Sequence, residues 1–189
     1  TASVTSVGGG TATITARQVG DANTAAAADV VRTLTVAKKD QAITFATLAG
    51  KIFNDAAFPV SATSDSGLAP VISVVSGPAT IAAGTVTITG AGDVTLRAAQ
   101  LGNANFNAAP NVDRTFTVAK ASQTITFAAL GTVAFGSAPI TLQATASSTL
   151  PVTYTSSNSA VATVSGSTVT VVGAGSTTIT SSQSGNSEF

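Results

Sequence analysis

Four residue types are missing from this 189-residue chain: cysteine, methionine, tryptophan and histidine. Their absence removes thiolate chemistry, imidazole bases and the commonest zinc ligands together. Disulfides are excluded as well, so any core must hold by packing alone. Units of about eighty residues can just sustain that, burying somewhat over ~60% of the unfolded chain's surface. Charge is equally scarce, because eight basic and eight acidic side chains cancel and make up only 8% of the residues. A chain with so little charge is not drawn to nucleic acid or anionic lipid by long-range fields. No run of eighteen apolar residues occurs, so no segment reads as a bilayer-spanning helix, and no signal peptide is recognisable. The chain begins at Thr1 without a methionine and is read as a piece of something longer, with any export signal outside it.

What is present is 44% hydrophobic residues with only 5% aromatics. That is too apolar for a disordered chain. The apolar residues are mostly Ala and Val, mixed with many Thr and Ser, the β-branched and small side chains that suit pleated surfaces packed face to face. The expected fold class is all-β.

An internal repeat organises the chain. Gln18, Gln100 and Gln183 each stand two places before a glycine, at spacings of 82 and 83 residues. Arg32-Thr-Leu-Thr-Val-Ala-Lys38 recurs as Arg114-Thr-Phe-Thr-Val-Ala-Lys120, and Gln41-Ala-Ile-Thr-Phe45 as Gln123-Thr-Ile-Thr-Phe127, again 82 apart. Landmarks sharing one period predict an array of units of about eighty residues. The boundaries follow: 1–38 holds the C-terminal strands of a first repeat, 39–120 a complete repeat, and 121–189 a repeat lacking its last strand. Only Lys39 and Asp40, and then Ala121 and Ser122, separate the recurring segments. Linkers so short, without Gly or Pro, predict tandem units arranged as a stiff rod.

Period-two alternation places strands within each repeat. Residues 11–16 put Ala12, Ile14 and Ala16 on one face, and 30–36 form the closing strand. The Ala-rich stretch 19–29 reads as a loop, because its counterpart 101–110 is full of turn formers. In the middle repeat strands are expected near 41–45, 57–63, 70–76, 79–82, 85–89, 93–99 and 112–118. In the last they fall near 123–127, 138–145, 151–156, 160–164, 167–172 and 176–182. Seven short strands with turn signals at roughly ten-residue intervals form the pattern of an immunoglobulin-like sandwich. The sole tyrosine, Tyr154, has the parity of a core residue.

The phrases Gln123-Thr-Ile-Thr-Phe127, Leu150-Pro-Val-Thr-Tyr-Thr-Ser-Ser-Asn158, Ala160-Val-Ala-Thr-Val-Ser-Gly166, Gly173-Ala-Gly175 and Gln100-Leu-Gly-Asn-Ala-Asn-Phe-Asn-Ala-Ala109 carry a resemblance. They are similar to the bacterial immunoglobulin-like (Big) repeats found in tandem in long secreted and surface-anchored proteins. The resemblance covers the whole chain and is specific in its last repeat. It implies an extracellular array at the bacterial surface, serving as stalk, spacer or adhesin body. The middle repeat departs from the pattern at Pro70-Val-Ile-Ser-Val-Val-Ser-Gly77, which is two residues shorter.

Candidate sites are few. The acidic residues Asp21, Asp29, Asp40, Asp55, Asp65, Asp93, Asp113 and Glu188 are scattered singly, so no general acid-base pair and no calcium cage is expected. Asp40 and Asp113 lie near Lys38, Lys39 and Lys120, where a junction salt bridge is conceivable. A Lys–Asn isopeptide bond, from Lys51 to Asn54 or Asn107, is disfavoured because no Glu occurs before position 188 and no Asp sits in a plainly apolar strand. Gly8-Gly-Gly10 and Gly90-Ala-Gly92 lack the lysine and the following helix of a phosphate loop and read as hairpin turns. Arg32 and Arg114 begin core-facing strands and are expected at the sheet rim, guanidinium in solvent. No catalytic residue, cofactor or metal site is expected, and neither is an enzyme.

Two functional readings remain. The structural one makes the repeats a spacer for a distal head, partnered by neighbouring repeats. The other is a carbohydrate- or cell-binding module using the loop with Asn103, Asn105, Phe106 and Asn107, although sugar sites usually show exposed Trp or Tyr. The last repeat stops at Phe189, before any counterpart of 111–118. A third expectation follows from that open edge: Val30, Arg32, Leu34 and Val36 of one copy complete the last repeat of another, head to tail.

Overall fold

The computed structural model describes residues 2–189, and it is all-β: eighteen strands and, among the described residues, no helix. In chain order the strands are β1 (Gly10–Ala16), β2 (Val30–Val36), β3 (Ile43–Phe45), β4 (Lys51–Ile52), β5 (Phe58–Pro59), β6 (Ala62–Ser64), β7 (Val71–Ser76), β8 (Ala79–Ala82) and β9 (Thr85–Ile88). They continue as β10 (Gly92–Ala99), β11 (Val112–Ala119), β12 (Ile125–Phe127), β13 (Ile140–Thr141), β14 (Ala144–Ala146), β15 (Thr153–Ser156), β16 (Ala162–Ser165), β17 (Thr168–Val171) and β18 (Ile179–Ser182). Two compact units emerge. The first holds the chain up to Gly50 together with Ala56–Thr89 and Asp93–Thr117; the second holds Lys51–Asp55, Gly90–Gly92 and Val118–Phe189.

In the first unit β1 and β2 form an antiparallel ribbon from Gly10↔Val36 to Ala16↔Val30. Nearly every residue of the ribbon is exposed, since two strands alone have no second layer to pack on. β3 pairs with β6, β9 lies between β5 and β8, and β10 lies between β7 and β11. Alternation along β10 sends Val94, Leu96 and Ala98 inward, all fully buried, as period two requires. Phe45, Val86 and Phe116 join them in the core. Phe58 of β5 meets Phe116 of β11 edge to face at 5.7 Å, so two different sheets turn their apolar faces toward each other. The packing is β-sandwich-like.

In the second unit β4 runs parallel to the end of β11, Lys51 opposite Val118 and Ile52 opposite Ala119. β12 pairs with β14, β17 lies between β13 and β16, and β15 pairs with β18. Leu142, Ala162 and Val169 form the core, with Phe127, Ile140, Tyr154, Val164 and Ile179 packed against it. Tyr154 sits 5.6 Å from Phe127, and its hydroxyl accepts the Ala144 N–H at 2.7 Å, so its polar tip is satisfied.

Several expected strands differ in detail. The run 57–63 is two strands: β5 pairs with β9 and β6 with β3, the chain changing partners at Val60 and Ser61. The run 138–145 divides likewise into β13 and β14. Alternation reports which face is buried and not which neighbour supplies the hydrogen bonds, so a partner change is silent in it. The strands expected from 160 and 176 begin later, at Ala162 and Ile179. Asn158 holds a turn, its carbonyl accepting from Val161 and Ala162 N–H, and Thr177 turns its hydroxyl to Ser156 and to the Asn158 N–H. The Ala-rich stretch is a loop, as its counterpart implied.

Candidate functional site

The sequence Gln-x-Gly-Asn/Asp, met first as a ruler for the period, is a turn built the same way three times. Gln100 Oε1 accepts the Gly102 N–H, while Asn103 Oδ1 accepts from Asn105 N–H at 2.8 Å and Phe106 N–H at 3.0 Å. Gln18 likewise receives Gly20 N–H at 3.0 Å, and Asp21 Oδ1 receives Asn23 and Thr24 N–H at 2.9 and 2.8 Å. Gln183 receives Gly185 N–H at 2.5 Å, and Asn186 Oδ1 receives Glu188 and Phe189 N–H at 2.8 and 3.0 Å. The central glycines have φ of 72°, 75° and 77°. A Cβ at Gly102 would lie 2.3 Å from the Phe106 carbonyl oxygen, and one at Gly20 or Gly185 would meet a carbonyl just as closely. Only glycine fits.

Two of these turns grip the segment at the start of their own sequence repeat. Asn105 O accepts Lys39 N–H at 2.8 Å, and Lys39 O accepts Asn107 N–H at 2.9 Å. Asn107 Nδ2 donates to Asp40 at 2.7 Å, and Asn105 Oδ1 accepts Gly9 N–H at 2.9 Å. In the second unit Glu188 O accepts Ala121 N–H at 2.8 Å, and Lys120 Nζ donates to the Asn186 carbonyl. The fold therefore gathers the expected loop residues Asn103, Asn105, Phe106 and Asn107 into one turn, and their hydrogen bonds run to their own chain.

Behind the turn lies a polar hub that sequence reasoning missed. Gln41 is 5% exposed; its Nε2 donates to Asn107 O at 2.6 Å and to Gln100 Oε1 at 3.2 Å, and its Oε1 accepts from Ser64 Oγ at 2.8 Å and Ser66 Oγ. In the second unit Gln123 donates to Gln183 Oε1 and accepts from Ser148 Oγ. The available signal was the recurrence of Gln before Ile-Thr-Phe at a place where alternation alone asked for nothing polar.

Charged residues serve the sheets. Arg97 on β10 forks onto Asp113 on β11, with both contacts at 2.8 Å. That hydrogen bond holds the Asp113 carboxyl below its ordinary range and raises the Arg97 guanidinium. Asp21 is also held low, first by the Thr24 hydroxyl and then by the Asn23 and Thr24 N–H groups. The anticipated junction salt bridge gives way to other partners: Asp113 takes Arg97 and Asp40 takes the Asn107 amide. Arg114 is not left to solvent, since its Nε donates to the Phe45 carbonyl at 2.9 Å. Lys51, weighed with Asn107 as an isopeptide pair, lies in β4, while Asn107 gives its amide to Asp40. Among the described residues no three His, Cys, Asp or Glu cluster as metal ligands, and no helix is long and apolar enough to cross a membrane.

One concavity stands out. A groove of about 490 Å³ in the second unit is lined by Leu130, Val133, Phe135, Ile140, Val169 and Ile179 among others. It lies beside β18, whose only strand partner among the described residues is β15. The other expected set, Val30, Arg32, Leu34 and Val36, lies on β2, where Val30, Val31 and Leu34 are exposed.

Set against protein-family models, curated proteins and solved structures, the chain gives no match. What fold and site define together is a class: an all-β, β-sandwich-like protein whose most elaborated polar features are turns and a buried amide hub.

Proposed function

We propose that this chain is a stretch of tandem immunoglobulin-like repeats acting as a structural stalk or spacer in a bacterial extracellular surface protein. The observation that carries the reading is the recurrence of pairing at the sequence period. Ile43↔Ser64 through Phe45↔Ala62 has its counterpart in Ile125↔Ala146 through Phe127↔Ala144, with Ile43 and Ile125 standing 82 positions apart. The β5, β8 and β9 sheet has its counterpart in β13, β16 and β17, and the β1–β2 ribbon in the adjacent β10 and β11. Glycine turns that clasp the start of their own repeat and reach back to Gly9 and Lys120 of the preceding one, with two-residue linkers between, support an array whose neighbours brace one another. The resemblance to Big repeats supports the extracellular setting. In this reading the chain carries distance and tension, and chemistry or ligand binding belongs to another part of the parent protein.

Pulling the chain between its ends in an optical trap tests this. The complete middle repeat is expected to unfold in one step that releases about eighty residues, roughly 270–300 Å of contour at ~3.3–3.6 Å per residue. Featureless extension, or steps unrelated to the eighty-residue period, contradicts it.

A further inference from the structure

We propose that β7, in the middle repeat, is a self-pairing edge, and that its occupant is β7 of a second copy of this chain, antiparallel and related to the first by a two-fold axis at Ser73. The inference goes beyond the stalk reading, because it makes such chains associate side by side. β7 lies at the edge of its sheet, and its one strand neighbour among the described residues is β10. No loop among those residues supplies backbone hydrogen bonds to its free side. Alternation turns Ile72 and Val74 inward and Val71, Ser73 and Val75 outward. Val71 is 71% exposed and Val75 48%. A bulge in the pairing with β10 leaves Val75 without a cross-strand partner of its own.

The last repeat shows that the fold does not require those valines. Ile72 faces Ala98 on β10 as Tyr154 faces Ser181 on β18, so β15 stands where β7 does. Eighty-two residues on from Val71, Ser73 and Val75 stand Thr153, Thr155 and Ser157, all exposed. Hydroxyls serve these places in one copy of the fold, and apolar side chains of similar size take two of them in the other. The valines also fall within 70–77, the stretch where the middle repeat departs from the sequence pattern.

Charge does not guard this edge either. Residues 66–92 contain no charged side chain, so the lysine that commonly blocks edge-to-edge pairing is missing. Arg97, opposite Ser73 on β10, is turned to Asp113 on the far side.

A second β7 fits in one register. Residues directly opposite in a ladder share a face, so an inward residue must meet an inward one. Centring the pair on Ser73 sets Val71 against Val75 and Ile72 against Val74, each twice, with Ser73 opposite its own copy. A shift by one residue would set Ile72 against Val75 and break the match. Pro70 and the Gly77-Pro78 turn bound the strand, so the paired length is β7 itself. Strand addition to a free sheet edge is an established recognition mode. One strand pair buries less than the ~1,200–2,000 Å² of a standard interface, so the association is weak and grows with concentration.

The chain has no cysteine, so an introduced thiol can meet only its own copy. Under mild oxidation Ser73→Cys protein is expected to form a disulfide-linked dimer at least tenfold faster than Thr155→Cys protein, whose thiol occupies the same place on β15. Sedimentation of the unmodified protein up to about 1 mM should show association rising with concentration and indifferent to salt. The double variant Val71→Thr/Val75→Thr gives β7 the polar outer face of β15; it should melt where the parent melts and associate at least tenfold more weakly. Ser73→Cys cross-linking no faster than the control, association that survives the double variant, or a protein monomeric throughout overturns the proposal. A monomer that still unfolds in eighty-residue steps overturns lateral pairing alone and leaves the array reading standing.

Discussion

Gly102 and Gly67 share a left-handed backbone, with φ of 75° and 77°, yet their surroundings differ. A Cβ at Gly67 meets nothing, whereas one at Gly102 runs into the carbonyls of Phe106 and Asn107. Gly67→Ala should therefore cost only the left-handed penalty, about 1 kcal/mol, while Gly102→Ala adds a backbone clash and should reach roughly 3 kcal/mol. Urea unfolding of the two variants measures both; equal losses would mean that the turn is not a close-packed device. Acid acts on single residues too. Asp113 and Asp21 have carboxyls held below their ordinary value, Asp113 by Arg97 and Asp21 by Thr24. Depressed carboxylates contribute stability that is complete above the unfolded pKa, about 3.9, and is lost as pH falls through the lower folded value. The melting temperature should hold from neutrality to about pH 4 and fall below it, and the fall should be shallower in Asp113→Asn. A curve identical in that variant would show the Arg97 fork to be without effect.

Strands and turns were unequally legible. β2 and β8 lie where alternation and the flanking turn residues place them, because both are exposed or half-buried strands bounded by clear punctuation. β4 was silent, since two residues in a parallel pairing are too few to display a period. The division of 57–63 between β5 and β6 depends on which sheet each half joins, a long-range fact absent from local pattern. The same limit hid the hub. Gln41 was visible as a landmark, but its burial follows from Ser64, Ser66, Gln100 and Asn107 converging on it from distant segments. Buried amides with every group satisfied fix a local arrangement, and removing one leaves its partners unpaired. Gln41→Ala should cost about 2 kcal/mol, read by thermal unfolding, and should speed amide exchange at Asn107 and Ala109. A variant as stable as the parent would reduce the hub to incidental contacts.

At the scale of the whole molecule the eighty-residue period was the clearest message of the sequence, because several landmarks repeat it independently. Sequence could not reveal that the second and third repeats reuse the same glycine turn to clasp the segment ahead of their own first strand. That device, with linkers of two residues, underlies the proposal that successive units are braced in an extended array. Small-angle X-ray scattering from the chain in dilute solution tests this most directly. The account predicts a pair-distance distribution that peaks at the width of one sandwich and trails off in a long tail, unchanged by added salt because so little charge is involved. A symmetric, bell-shaped distribution from a globular particle, or the broad profile of loosely tethered beads, would contradict it.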